Sequence, residues 1–297
     1  MWAVRFNTMY KKIITIVALA IIVSPFTNLA ANTKGKLVYD SGRSINYYDF
    51  DTGVSGVMLE KDRLSVSPGG ITKIDNSYIV YGLQKPNGKY DLVLYEYKKN
   101  QQVVLGAGSY PLYLKEKKEL MYFDSAKNGR GLWLYKAQIY ENELVKTEPI
   151  VTELPFYSAN PLYKVNENNV VFIDSENKSW KLNLDNNQLE PIESLNTNNC
   201  IMYLWISKTQ QYLCREQSTG YLYLVNSNTG DRTLFIDKLK YVTAYIKELD
   251  SIIYTIPGFS FIRGETYEIG RYNLINQKKM KLPAVGVTTP GNVIWVE

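Results

Sequence analysis

Along most of this chain the apolar positions fall in short runs where every second side chain is apolar, and polar turns separate the runs. "KLVYDSGRSINYYDFDTG", residues 36–53, holds two such runs, a tight polar join and an Asp-Thr-Gly stop. The outline returns as "YIVYGLQKPNGKYDLVLYEYKKN", "LMYFDSAKNGRGLWLYKAQ", "VVFIDSENKSWKLNLDNN" and "YLCREQSTGYLYLVNSNTG". Alternation of aromatic and β-branched residues marks half-buried strands. The Asn, Asp, Gly and Thr residues that end them are turn formers. Helical spacing of apolar residues does not occur after residue 31.

One position anchors each recurrence, at the end of its first short apolar run: Tyr39, Tyr81, Tyr122, Phe172, Cys214, Tyr254 and Trp295. The spacing is nearly constant along the whole chain, with one longer interval between Tyr122 and Phe172. A repeat of about 40 to 45 residues built of four short strands is a propeller blade. The four strands read as A ("SYPLYL", "CIMYLWI"), B, which carries the anchor ("IVYG", "VVFI"), C ("DLVLYEY", "YLYLVN") and D ("QVVLG", "RTLFI"). The expected fold is all-β: a propeller of four-stranded antiparallel blades, six in number. Seven would need a seventh C and D strand, which the sequence does not supply. The chain opens on a B strand, "KLVYD", and closes on "VGVTT" and "NVIWVE", read as an A and then a B strand. The two ends are thus expected to join in the closing blade, with one B strand left over beside it.

"GKLVYDSGRSINYYDFDTG" and "STGYLYLVNSNTGDRTLF" resemble the blade motif of TolB-like (WD40-like) six-bladed propellers, a strand and short polar loop followed by "xIYxxDxxTG". The resemblance covers roughly residues 36–297. It implies a periplasmic or extracellular binding protein, or a propeller appended to an enzyme.

Composition narrows the function. Apolar residues make up 45% of the chain, enough for a core. The net charge is +5, but Arg5, Lys11 and Lys12 lie in the segment 1–31, where there is no Asp or Glu; the remainder carries +2. A near-neutral domain lacks the basic face that nucleic acid requires. The opening segment reads as a secretory signal, with a basic start, the apolar run "IITIVALAIIV" and the small-residue end "SPFTNLAA". The run is shorter than the roughly 20 residues of a spanning helix. Cleavage is expected after Ala31 or Ala30, leaving residues 32–297 as one exported domain with no membrane span, periplasmic or secreted; an uncleaved anchor is the alternative.

Histidine is absent. That excludes Ser-His-Asp and Cys-His catalysis and removes the commonest zinc ligand. No catalytic residue, metal ligand or cofactor is expected. Cys200 and Cys214 flank one hairpin and have no metal-site spacing. An exported protein can hold a disulfide. However, pairing Ile206 with Gln211 sets Cys214 opposite Tyr203, so two separate buried thiols are the expectation.

Most other conspicuous residues read as scaffold. The pairs Asp40-Ser41, Asp124-Ser125 and Asp174-Ser175 suit side chains bonding their own turns, and "DFDTG" suits a C–D turn rather than a calcium loop. The tyrosines at repeated strand positions suit packing between blades. "LKEKKEL", residues 114–120, reads as a solvated A–B turn. Two segments break the repeat: "VTELPFYSANP" between blades three and four, and "TIPGFSFIRGET" in the last B–C region. In such blades the B–C and D–A connections share one end. Both breaks therefore belong to one face, as does "DSAKNGRG". The candidate binding residues are Phe156, Tyr157, Phe259, Phe261, Arg263, Lys127 and Arg130. The function expected is a non-catalytic binding module, a monomer that holds a protein or glycan partner on its loop-rich face. The alternatives are a carboxylate-dependent glycosidase or lyase and a purely structural envelope component.

Overall fold

The computed structural model describes residues 34–296, apart from 42, 62–68, 127–130, 157–161, 175, 197–198, 237–241, 261–263 and 288–292; for 153–156, 236, 257–260, 264–267 and 284–287 it describes the backbone only. The propeller is the compact unit that begins at Gly35.

Six four-stranded antiparallel sheets form the blades. Blade one takes β1 (Lys36–Asp40), β2 (Ser44–Asp49) and β3 (Ser55–Glu60) from the start of the chain. Blade two is β4 (Ile71–Lys73), β5 (Tyr78–Gln84), β6 (Tyr90–Glu96) and β7 (Gln101–Ala107). Blade three is β8 (Ser109–Leu114), β9 (Glu119–Ser125), β10 (Leu132–Tyr140) and β11 (Glu143–Phe156). Blade four is β12 (Tyr163–Asn166), β13 (Asn169–Ile173), β14 (Ser179–Asn183) and β15 (Leu189–Pro191). Blade five is β16 (Cys200–Ile206), β17 (Gln211–Glu216), β18 (Leu222–Asn226) and β19 (Arg232–Ile236). Blade six is β20 (Val242–Ile246), β21 (Ser251–Ser260), β22 (Gly264–Asn273) and β23 (Lys279–Val287). The last strand, β24 (Val293–Val296), pairs antiparallel with β1 and completes blade one. Helix among the described residues is limited to single turns, α1 (Glu193–Asn196) and a 3-10 turn (Lys247–Leu249).

The ring closes on the two chain ends, as expected, but the final strands take other roles. "NVIWVE" supplies the innermost A strand of blade one, so no B strand is left over. "VGVTT" is not an A strand: β23, the D strand of blade six, runs through Val287, which pairs with Tyr267. A short apolar run has no periodicity to mark its place in a blade. Partner strands decide it, and Trp295 finds Leu37.

Six clusters of buried residues form the core, one between each pair of neighbouring blades. The B-strand anchors Tyr39, Tyr81, Tyr122, Phe172, Cys214 and Tyr254 are all buried. Each faces a C-strand residue: Tyr122 stacks on Tyr135 at 5.8 Å, and Tyr254 lies over Gly270, where a Cβ would come within 2.3 Å of its ring. The repeated aromatic position is thus a packing position, and this is why it recurs.

The repeated turn residues also have a local cause. Asp49 Oδ1 accepts the N–H groups of Asp51 and Thr52 at 2.9 and 3.2 Å. Asn183, Asn226 and Asn273 do the same in their own C–D turns. Burial alone would raise the pKa of Asp49, but these N–H groups and the Lys36 ammonium at 3.2 Å outweigh it and hold it below the usual carboxylate value.

Cys200 and Cys214 are joined as a disulfide, which corrects the expectation of separate thiols. Ile206 does pair with Gln211, but a bulge between Met202 and Leu204 shifts the register by one residue, so Cys214 faces Met202 and not Tyr203. Cys200 then becomes its diagonal neighbour, with the Cα atoms 5.5 Å apart.

Candidate functional site

The strand directions place the B–C and D–A connections at one end of the ring and the A–B and C–D turns at the other. β11 ends at Phe156 and β21 at Ser260, both at the B–C/D–A end. The two segments expected to be loops are largely strand. Phe156 pairs with Leu132 across β10 and β11, and Phe259 pairs with Glu265 in a hairpin that continues to Ser260 and Gly264. Their β-branched and aromatic residues favour extended pairing, and Pro257 and Gly258 do not stop it. Tyr157, Lys127, Arg130, Phe261 and Arg263 lie outside the described residues, and only the backbone is described for Phe156 and Phe259.

At this same end a crevice of about 590 Å³ opens between blades two and three. Its walls come from the B–C hairpin of blade two (Lys85, Lys89, Tyr90), the D–A crossing (Gly108 to Tyr110) and the B–C ends of blade three (Asp124, Ser125, Leu132). The undescribed residues 127–130 fall between Ser125 and Leu132. The hairpin is tied at its base by Lys85 Nζ on Asp91 at 2.6 Å, and Asn87 caps the Lys89 N–H at 3.0 Å. Sharp crossing of the chain depends on Gly108, whose φ is +149°; a Cβ there would lie 2.6 Å from Tyr122.

Tyr110 closes the inner wall. Its own φ is +50°, and its N–H donates to the Gly69 carbonyl at 2.5 Å. Burial pushes its hydroxyl pKa up to about 12, helped by Tyr90 and Asp40, so it remains a neutral donor and acceptor. Lys89 is exposed at the rim. Such a lining of a phenol, a carboxylate, a lysine and apolar walls suits holding a partner.

The central channel is lined by the A strands and contains a cavity of about 380 Å³ bordered by residues of all six blades. Among the described residues bordering it are Lys73, Lys164 and Lys247, and Glu248 is the one carboxylate. Lys164 is paired with Glu116. Tyr163 donates to the Tyr203 carbonyl at 2.5 Å, and burial raises its pKa.

No known sequence family matches this chain, and no curated protein does. Solved structures do. TolB from Acinetobacter baumannii aligns with a TM-score of 0.62 at 11% identity, over 88% of this chain and 66% of that one. A protein described as putative TolB from Agrobacterium tumefaciens aligns at 0.59 and 8% identity, over 88% of this chain and 94% of that one. The fold is that of the TolB-like six-bladed propellers. A nidogen/laminin complex structure also aligns, at 0.59 and 11% identity, over 82% of this chain and 91% of that one. This chain thus spans just under two thirds of the Acinetobacter protein. At such identities the likeness is one of fold, and TolB-like propellers share with this chain a scaffold rather than a demonstrated site.

Three of the sequence motifs resolve on this TolB-like scaffold. Asp124 Oδ1 accepts the Ser125 N–H at 2.6 Å, and Asp174 accepts the N–H groups of Glu176 and Lys178 and the Trp180 indole N–H at 2.9 Å. Both serve their own B–C turns. Asp40 departs from them. It is fully buried and bonds Lys61 Nζ at 2.7 Å, with its second oxygen accepting the Gly69 N–H at 3.2 Å. Burial pulls the Lys61 pKa down, against the pull of Asp40. The pair fastens both ends of the connection from blade one to blade two. Sequence reading singled out Asp40 but missed Lys61, and missed the blade-two crevice although "QKPNGK" was a visible turn signal. No helix among the described residues is long and apolar enough to cross a membrane.

Proposed function

We propose that this chain is an exported, non-catalytic propeller that holds a protein or glycan partner at its B–C/D–A end. The observation that carries the reading is the crevice between blades two and three, on the same end where β11 and β21 run out as enlarged segments. Loops and strand ends on a rigid scaffold are common carriers of recognition. The Cys200–Cys214 disulfide supports an oxidising compartment, in keeping with cleavage of the segment 1–31 as a signal. The nidogen/laminin structure supports the reading by analogy, since the chain that aligns there comes from a complex between proteins.

A glycosidase or lyase would need two carboxylates roughly 5 to 9 Å apart across its substrate. The channel border, with several lysines and one described carboxylate, gives that alternative little support.

Phe156, Tyr157, Phe259, Phe261, Arg263, Lys127 and Arg130 are proposed as contact residues. Phe259→Ala with Phe261→Ala, and Phe156→Ala with Tyr157→Ala, test them. An interface anchor loses about 2 kcal/mol or more on truncation, roughly 30-fold in affinity. A core phenylalanine would instead lose about 3 to 5 kcal/mol of stability. The expected result is lost retention of the partner that the wild type captures from its own envelope, with melting unchanged. Lost melting would make these rings part of the scaffold and overturn the assignment.

A further inference from the structure

A second crevice of about 460 Å³ lies between blades four and five, lined mostly by their A–B and C–D turns, with Ile192 to Ser194 of the D–A connection on one wall. This is within the rough 300 to 1,000 Å³ range of small-ligand sites. Two features inside its walls are out of keeping with a mere gap. Trp205 is only 5% exposed, and its buried indole Nε1 finds no hydrogen-bond partner among the described residues. Asn169 Oδ1 is likewise buried without one. Both residues border the crevice, and Trp205 also borders the channel cavity. The orientation of the Asn169 amide is fixed by its Nδ2, which donates to Asn166 Oδ1 at 3.0 Å. An unmet donor and an unmet acceptor each cost roughly 1 to 3 kcal/mol, and both stand in the walls of one crevice.

The remaining lining defines the occupant. The Trp205 and Tyr212 rings pack on each other 4.8 Å apart and are nearly buried, and Val165 and Pro191 supply apolar surface. Amides and hydroxyls come from Gln210, Asn228 and Thr229. Charged groups are few: Lys181 lies 4.0 Å from Glu190, and Glu193 adds a second carboxylate. The C–D turn of blade five closes the outer side: Gly230, at φ +74°, leaves 3.3 Å between a Cβ there and Ser194 of α1. An anion has no free counter-charge here, and the single carboxylate in excess does not make a cation cage. A hydroxylated ring does fit, since each hydroxyl both donates and accepts and so can meet both orphaned groups, while its carbon face packs on the apolar wall at Val165 and Pro191.

We propose that this crevice binds an uncharged saccharide, independently of the partner at the other end. The test is a titration of the exported chain with glucose, galactose and N-acetylglucosamine, read on the Trp205 indole N–H resonance, assigned through Trp205→Phe. A saturable shift of that resonance with at least one sugar is expected. Asn169→Leu, which removes the acceptor, should weaken it roughly tenfold or more. No saturable shift with any of the three sugars would mean a crevice that holds only water and would overturn the proposal. So would a shift unaffected by Asn169→Leu. Should Asn169→Leu fail to fold, the wild-type titration decides alone. Retention of the partner at the B–C/D–A end does not enter this readout, so the two readings fail separately.

Discussion

Asp40 and Asp49 both looked like turn residues in the sequence, and only one of them is. Asp49 makes its turn with the next three residues alone, so that role was legible from "DFDTG". Asp40 depends on Lys61, 21 residues further on and past a whole strand pair, which no local pattern reports. Removing one member of a buried pair strands the other, at a cost of about 3 to 5 kcal/mol, whereas replacing both with uncharged groups is often tolerated. Lys61→Met alone should therefore lose about that much stability in urea unfolding. Adding Asp40→Asn, which keeps an acceptor for the Gly69 N–H, should recover most of it. A single variant as stable as the wild type would show that the pair does not hold the connection between blades one and two.

At the scale of elements, what the sequence showed best was the B and C strands. Their anchors recur because each fills the same space between sheets. A strands were harder, since register at the channel is altered by bulges that alternation does not report. The bulge between Met202 and Leu204 is the case with consequences, because it turns two thiols read as separate into a bonded pair. The same limit hid the crevice beside Trp205, whose neighbours Asn169 and Thr229 come from other strands and turns. The bond closes a loop with a sequence separation of 14, for which chain entropy suggests about 3 kcal/mol. Cys200→Ala with Cys214→Ala should lower stability by about that amount. The intact mass of the exported chain should correspond to a start at Asn32 or Ala31 and rise by two hydrogens on reduction. A mass that retains Met1, or one that reduction leaves unchanged, would contradict export with an oxidised hairpin.

For the whole molecule, closure is the property that makes six weakly similar sheets one domain. β24 brings Trp295 against Phe50, with ring centroids 5.4 Å apart, and over Gly35, where no Cβ would fit. Val293 and Val296 pack into the clusters on either side of blade one. Burying such side chains contributes roughly 1.5 to 3 kcal/mol each, against a total of about 5 to 15. Deletion of residues 292–297 should unfold or aggregate the protein; unchanged melting would rule out closure by this strand. A closed ring in turn fixes which turns share an end, and the proposed function rests on that division. The direct measurement is photocrosslinking in the native host from one exposed position at each end: Lys89 in the B–C hairpin of blade two, and Asn186 in the C–D turn of blade four. The account predicts a crosslink to a discrete partner from Lys89 and none from Asn186. A partner captured from Asn186 and not from Lys89 would contradict it.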